Sequence, residues 1–219
     1  MGERVVVILL GPPGAGKGTQ ARRLAARSGY PHVSTGDILR QEVRDRSDMG
    51  MRVEAIMNAG ELVPDELVAR IIGQRLERDD SGGFLLDGFP RNMVQARYLE
   101  SVCNGLDLLI INLTLEESEV IKRLTGRRQC SGCGKIYNLA YSAPQIEAIC
   151  DVCNGALIVR PDDRADVILE RLRVYREQTV PLVEHYRERG YYREVDGSQG
   201  AIEVSDSISE IMTRSGVQE

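Results

Sequence analysis

The chain has 219 residues, a 42% apolar fraction and a formal charge of −5, which suits one domain with a sizeable core. Acids and bases are mixed along it, so it lacks the basic stripe that a dedicated nucleic-acid binder needs to release counterions. No run approaches the roughly 18 apolar residues of a membrane span, and Cys103, an odd thiol among five, suits a reducing compartment, so a cytoplasmic protein is expected.

The run "RVVVILL" (Arg4–Leu10), ending at glycine, predicts a fully buried first strand of a parallel sheet; no small-residue cleavage site makes it a signal peptide. "KGTQARRLAARSG" predicts a helix closed near Gly29, with Leu24 and Ala25 inward and Arg22, Arg23 and Arg27 toward solvent. "STGDILRQEVRDR" predicts a second helix capped by Ser34 or Thr35. Two more follow around "MRVEAIMNAG" and "PDELVARIIGQRLE", with Pro64 in the first turn of the latter, where no N–H is missed. "GFLLDGFP" (Gly83–Pro90), "LDLLIINLTL" (Leu106–Leu115) and "YYREVDG" (Tyr191–Gly197) read as further strands. Before the last of them, "RADVILERLRVYREQTVPLVEHYRERG" reads as a long helix bent or interrupted by Pro181. Strands alternating with helices predict a three-layer α/β domain.

From Arg128 to Pro161 this rhythm stops. The segment is an insert of roughly 30 residues, too short to bury much of a core. It holds Cys130, Cys133, Cys150 and Cys153 as two C-x-x-C pairs with sixteen residues between them, the spacing of a closed four-thiolate zinc site. Such a metal would replace the core that the insert cannot form, and iron could occupy the same sulfur geometry. A redox pair would open a helix after a strand, a setting this glycine-rich insert does not provide. A nucleic-acid-reading zinc ribbon is disfavoured too. Lys135 is the only cation between the first and last cysteines, set against Glu147 and Asp151.

"GPPGAGKGT" (Gly11–Thr19) follows a predicted strand and opens a predicted helix, the context that a G-x-x-x-x-G-K phosphate loop requires. Its glycines let N–H groups turn inward on phosphate oxygens, the helix N-terminus adds positive charge, and Lys17 supplies a full one. Gly18 stands where a magnesium-ligating Ser or Thr is usual, and the hydroxyl comes at Thr19, so phosphates and water are expected to hold much of the magnesium. A phosphate loop alone gives phosphate binding and no more.

Arginines near three short blocks narrow the choice. Transfer between two nucleotides must neutralise several phosphates and the charge moving between them, and the planar guanidinium fork does so without losing its proton. Arg40 ends "STGDILR", Arg91 follows "DGFP", Arg127 and Arg160 flank the cysteine insert, and Arg171 lies on the next helix.

"GPPGAGKGTQ", "STGDILR", "LVPDEL", "GFLLDGFPR", "GRR", "RPDD" and "ERLRVY" stand in an order that resembles the adenylate kinase family in its long, zinc-containing form. The resemblance covers essentially the whole chain. It implies a nucleoside monophosphate kinase fold: a core of residues 1–33, 64–126 and 164–219, a mobile AMP-binding segment 34–63, and a zinc-containing lid 127–163. It implies that Gly14, Ala15, Gly16, Lys17, Gly18 and Thr19 hold ATP phosphates, with Arg123 against the ATP base and Ile136, Tyr137 and Gln199 as further ATP contacts. Thr35 and Gln95 would meet the AMP base, Arg40 and Arg91 its phosphate, and Glu61, Leu62 and Val63 its base and ribose. Gly88, Phe89 and Pro90 would form the turn presenting Arg91. Asp87 would stand near the magnesium water shell. Arg127, Arg160 and Arg171 would close over the phosphoryl groups, with Arg160 and Arg171 also reaching AMP, and Asp162 and Asp163 would orient the lid arginines. Asn92 and Val94 depart from the family's more frequent Thr and Pro. Lys17, Arg91, Arg127, Arg160 and Arg171 form the expected catalytic set. The resemblance implies a monomer working with Mg2+ on ATP, AMP and ADP, carrying structural Zn2+, with no nucleic-acid or membrane partner.

Rival readings remain on the sequence. A GTP:AMP or UMP/CMP kinase differs mainly in base contacts, and Thr35 and Gln95 favour adenine at the acceptor site. A sugar or shikimate-type kinase gives no reason for both "STGDILR" and "DGFPR". His32 and His185 read as structural or surface residues, and Cys103 as a semi-buried thiol.

Overall fold

In the computed structural model, which describes residues 5–77, 82–103 and 105–216, the opening apolar run forms β1 (Val5–Leu10) with all six residues buried. Arg4, the expected first residue of that strand, lies outside the described residues. After β1 come α1 (Lys17–Ser28), β2 (His32–Ser34), α2 (Thr35–Arg44), α3 (Asp48–Ala59) and α4 (Asp65–Glu77). Next are β3 (Gly83–Asp87), α5 (Met93–Val102), β4 (Asp107–Thr114) and α6 (Glu117–Gly126). The cysteine insert contributes β5 (Arg127–Cys130), β6 (Ile136–Asn138) and β7 (Leu157–Ile158). A 3-10 turn, Pro161–Asp163, leads into α7 (Ala165–Val174). A π turn (Tyr175–Thr179), α8 (Val180–Arg187), β8 (Tyr192–Asp196) and α9 (Ala201–Arg214) complete the described chain.

Local chemistry sets several helix starts. Ser34 caps α2 by accepting from Asp37 N–H, which frees the neighbouring Thr35 hydroxyl for another partner. Ser47 and Asn92 cap α3 and α5 in the same way. The expected first-turn role of Pro64 is corrected: it precedes α4, and its carbonyl accepts from Leu67 and Val68 N–H. Pro181 does interrupt the long helix, and the interruption takes the form of the π turn.

The main sheet has five parallel strands in the order β2-β3-β1-β4-β8. Alternate residues of β1 point to opposite faces, and both faces are covered. Val6, Ile8 and Leu10 pack with residues of α2, α3, α4, α5 and α8, among them Leu39, Val53, Ile72, Leu99 and Tyr186. Val5, Val7 and Leu9 pack with Leu24 of α1 and Ile208 and Met212 of α9. Each such buried Val, Leu or Ile contributes about 1.5–3 kcal/mol against its exposed state. The expected three-layer α/β architecture is the observed one. Chain order reverses across β1, so the crevice beyond its C-terminal end is where such sheets place ligands.

The insert is more ordered than its composition suggests. β6, β5 and β7 make a small antiparallel sheet whose buried cluster is only Cys130, Tyr137 and Cys150, with Leu157 against it. Cys103, expected to be semi-buried, is 3% exposed because the end of α5 packs into the core.

Candidate active site

The loop after β1 turns sharply because Gly14 and Gly16 adopt left-handed backbone angles (φ 83° and 95°) that other residues avoid. Lys17 opens α1, and its ammonium donates to Gly11 O at 2.7 Å and Pro12 O at 2.8 Å. Burial pushes the Lys17 pKa down to about 7; Arg91, Arg171 and Arg127 push the same way, and Asp87 opposes them. This ammonium sits where its surroundings resist positive charge, and an anion arriving in the crevice would relieve that resistance.

Asp87 stands at the C-terminal end of β3, with its Oδ2 3.6 Å from His32 Nε2. Burial alone would raise its pKa; His32, Lys17 and Arg91 outweigh that and hold the carboxyl below its ordinary value. The same oxygen bears on Gly18. A Cβ there would lie 3.0 Å from Asp87 Oδ2, so the carboxylate would have to give way slightly to a serine or threonine. An ionised, buried carboxylate beside a phosphate loop fits the water shell of a hard cation such as Mg2+.

One cavity joins these parts. Its floor is Gly11, Pro13 and Lys17; Thr35, Arg40, Met57, Glu61, Leu62 and Val63 form one wall; Gly88, Pro90, Arg91 and Gln95 form another. Asp162, Arg171, Tyr175 and Thr179 close it from the side of α7. Thr35 Oγ1 donates to Gly88 O at 2.9 Å, tying α2 to the turn that presents Arg91. Arg91 Nε donates to Gly88 O at 2.9 Å, and its backbone N–H donates to Gln95 Oε1 at 2.8 Å. Gln95 Nε2 in turn donates to Asp65 Oδ1 at 2.7 Å, so a base edge at Gln95 would compete with partners it already has.

The arginines divide into two sets. Arg40 and Arg171 line the cavity but are paired: Arg40 with Asp37 at 2.6 Å, Arg171 with Asp162 at 3.2 Å and Asp163 at 2.9 Å. Arg127 grips both oxygens of the buried Asp163, and Arg160 Nε donates to Gln129 Oε1 at 2.8 Å. These two are not among the cavity-lining residues. Arg91 differs, because among the ion pairs of the described residues no carboxylate is assigned to it. Burial and then the neighbouring Arg171 press its pKa down to about 10, while burial, Arg40 and Arg127 press Arg160 to about 9. Arg127 moves the other way, because Asp163 outweighs burial.

Several expected contacts already have protein partners. Phe89 is 0% exposed, its ring a core residue, while its backbone belongs to the turn before Arg91. Tyr137 is 3% exposed and its hydroxyl meets Cys150 Sγ at 3.4 Å. Ala15 is also buried. Arg123 donates to Gly197 O at 2.8 Å and Ser198 O at 3.3 Å, in the segment just before the exposed Gln199. His32 and His185 each lie 3.6 Å from a carboxylate, Asp87 and Glu100 respectively, partners that sequence spacing had not offered. Asp37, Asp65, Met57, Tyr175 and Thr179 were missed. Asp37 and Asp65 read locally as acids in the first turn of a helix, and nothing in the sequence marks the others as site residues.

The cysteine sulfurs converge. Cys130 and Cys153 Sγ lie 3.3 Å apart, Cys133 and Cys150 Sγ 3.6 Å, and all four fall within 4.8 Å of one another. Tetrahedral zinc with bonds of ~2.3 Å needs sulfurs about 3.8 Å apart. Cys133 N–H points at Cys130 Sγ and Val152 N–H at Cys150 Sγ, each at 3.4 Å, bonds that favour thiolates. Gly155 leaves room that a side chain would fill: a Cβ there would lie 3.0 Å from Cys130 Sγ. The donor set fits a structural zinc.

Among the described residues no helix is long and apolar enough to cross a membrane. A family model described as adenylate kinase matches residues 9–191. An adenylate kinase of Clostridium botulinum is 43% identical over 213 residues, covering 95% of this chain and 98% of that protein. One of Thermoanaerobacter is 44% identical over 94% of this chain and 97% of its own, and one of Archaeoglobus fulgidus 43% over 95% and 98%. With that identity sustained over nearly the full length of both partners, the chain belongs to the adenylate kinase family.

Proposed function

We propose that the chain transfers the terminal phosphoryl group of ATP reversibly to AMP, giving two ADP. The observation that carries this reading is the convergence of Lys17, Arg40, Arg91 and Arg171 on one cavity between the phosphate loop and the α2–α4 wall. Gly14 to Thr19 would bind the donor phosphates, with Arg123 against the donor base and Ile136, Tyr137 and Gln199 as further donor contacts. Arg40 and Arg91 would bind the acceptor phosphate, and Thr35, Gln95 and Glu61–Val63 would receive its base and ribose. Mg2+ held near Asp87 would supply charge neutralisation on the donor phosphates.

An oxygen of the AMP phosphate, already ionised near neutral pH, forms the new bond to the γ-phosphorus as the bond to the ADP oxygen breaks. No general base is needed. Lys17, Arg91 and Arg171 align the reacting groups and stabilise the charge shifting between them, and Arg127 and Arg160 add to this when the lid 127–163 closes. Asp163, which pairs with Arg127 and Arg171, and Asp162, which pairs with Arg171, are the carboxylates that phosphates would replace. Closure excludes water, the competing acceptor. Zinc at the four cysteines would staple the lid, and the protein would work as a cytosolic monomer.

A coupled ADP-production assay with ATP and a panel of AMP, CMP, UMP and GMP tests the reading. AMP should be the preferred acceptor; preference for a pyrimidine would favour the UMP/CMP alternative. Arg91→Ala should lower turnover roughly hundredfold or more, and unchanged turnover would remove Arg91 from the phosphate clamp.

A further inference from the structure

Arg91 is held at three points. Gln95 Oε1 accepts from its N–H at 2.8 Å, Gly88 O accepts from its Nε at 2.9 Å, and its own carbonyl accepts from Thr179 Oγ1 at 2.8 Å. The first two bonds are local to the segment between β3 and α5. The third comes from 88 residues along the chain.

Thr179 ends the π turn between α7 and α8, where Val180 N–H reaches back to Tyr175 O instead of making an α-helical bond. Pro181 follows and has no N–H to continue the ordinary ladder. A threonine hydroxyl inside a helix usually turns back to a carbonyl of its own preceding turn. This one leaves its helix for Arg91. The residue is 7% exposed and lines the cavity together with Arg91, Arg171 and Tyr175. Without its hydroxyl the Arg91 carbonyl would lose this buried donor.

The helix that leads into this turn carries Arg171 on α7. Arg91 and Arg171 are like charges sharing one cavity and repel each other. The bond from Thr179 fastens the segment carrying one of them to the helical run carrying the other. We propose that Thr179 is a positioning residue for phosphoryl transfer, its hydroxyl setting the spacing at which Arg91 and Arg171 meet the acceptor and transferring phosphates. The inference rests on the phosphoryl-transfer reading above. It also gives the π turn a purpose: the extra residue brings a hydroxyl to Arg91 that a regular helix would keep for itself.

The test compares Thr179→Val, which keeps the volume and removes the donor, with Thr179→Ser, which keeps the donor and removes a methyl. Ser205→Ala on α9 removes another buried hydroxyl far from the cavity and serves as control. Steady-state kcat and separate KM values for ATP and AMP are measured beside the melting temperature of each protein. Thr179→Val should lose kcat by roughly ten- to hundredfold, as for a small misplacement of a reacting group. Its KM for AMP should rise and its KM for ATP stay put. Thr179→Ser should recover most of the loss, and Ser205→Ala should leave kcat at the wild-type value. If Thr179→Val does not fold, Thr179→Cys takes its place, because a thiol is a poor donor of similar size, and the same loss is expected. Wild-type kcat in the Val or Cys variant would overturn the proposal, as would a Ser variant as impaired as either. A wild-type protein inactive with every acceptor would instead overturn the functional reading on which the proposal stands.

Discussion

The chain contains two sheets built on opposite principles. In the main sheet, β1, β3 and β4 bury aliphatic side chains on both faces, and the helices of the described residues supply the cover and connections. In the insert, three short strands enclose two cysteines and a tyrosine, while Leu139, Tyr141, Ile146, Val152 and Ile158 stay exposed. The first sheet is held by apolar area removed from water. The second has too little of it, and its four converging sulfurs occupy the place where a core would be. The difference teaches where each region can tolerate change: the main sheet carries stability, and Lys17, Arg40, Arg91 and Arg171 crowd one cavity beside it.

Lys17→Met should break that division most visibly. Turnover should fall about a thousandfold, yet the ligand-free protein should melt higher than wild type. The sign follows from the pKa. Lys17 is lowered from 10.5 to about 7, so between these values the unfolded chain binds more protons and the folded state is penalised for the charge. Below pH 7 that penalty is present in full; it fades as pH rises to about 10. Calorimetry at several pH values, beside the assay, reads both effects, and a lower melting temperature near neutral pH would contradict the argument.

Leu86→Ala tests the main sheet. Leu86 is 0% exposed in the middle of β3, and its truncation should cost about 2–5 kcal/mol and shift the whole unfolding transition. Cys130→Ser should instead abolish binding of one zinc per chain and loosen only the insert. Hydrogen exchange would locate the change in residues 127–163, and metal analysis would confirm the lost ion. A shift of the global transition as large as that of Leu86→Ala would erase the contrast between the two sheets.

The smallest effect concerns acid. Burial would raise the Asp162 pKa, but Arg171, Arg40, Arg127 and Arg160 hold it below its ordinary 3.8. Its stabilisation is therefore complete above that value and is lost as pH falls through the lower, folded-state pKa. Asp162→Asn should flatten the acid limb of the stability curve without changing its neutral plateau slope. An unaltered acid limb would show that Arg171 and the neighbouring arginines gain nothing from this carboxylate.

Much of this was legible in the residues themselves. β1, the phosphate loop and the four cysteines each carry their reason within a few neighbours: an apolar run, glycines before a lysine, and thiols at ligand spacing. Gly18 shows the limit. Its departure from the usual pattern is visible in the chain, but the Asp87 carboxylate that a side chain there would press against comes beside it only when β3 pairs with β1. The buried rings of Phe89 and Tyr137 show the same limit, because a motif position does not say which way a ring turns.

What the sequence by itself determined is the order of elements, the parallel sheet and the chemistry of the loop and cysteines, since these follow from local periodicity, turn residues and spacing. What only the tertiary structure decided is the pairing of charges and the direction of side chains. Arg91 without a paired carboxylate among the described residues, Arg171 held by Asp162 and Asp163, and Thr179 bonded to a carbonyl 88 residues away all depend on packing between distant segments. Electrostatic and hydrogen-bond partners are chosen by distance in space, and the chain brings them together only once its core has formed.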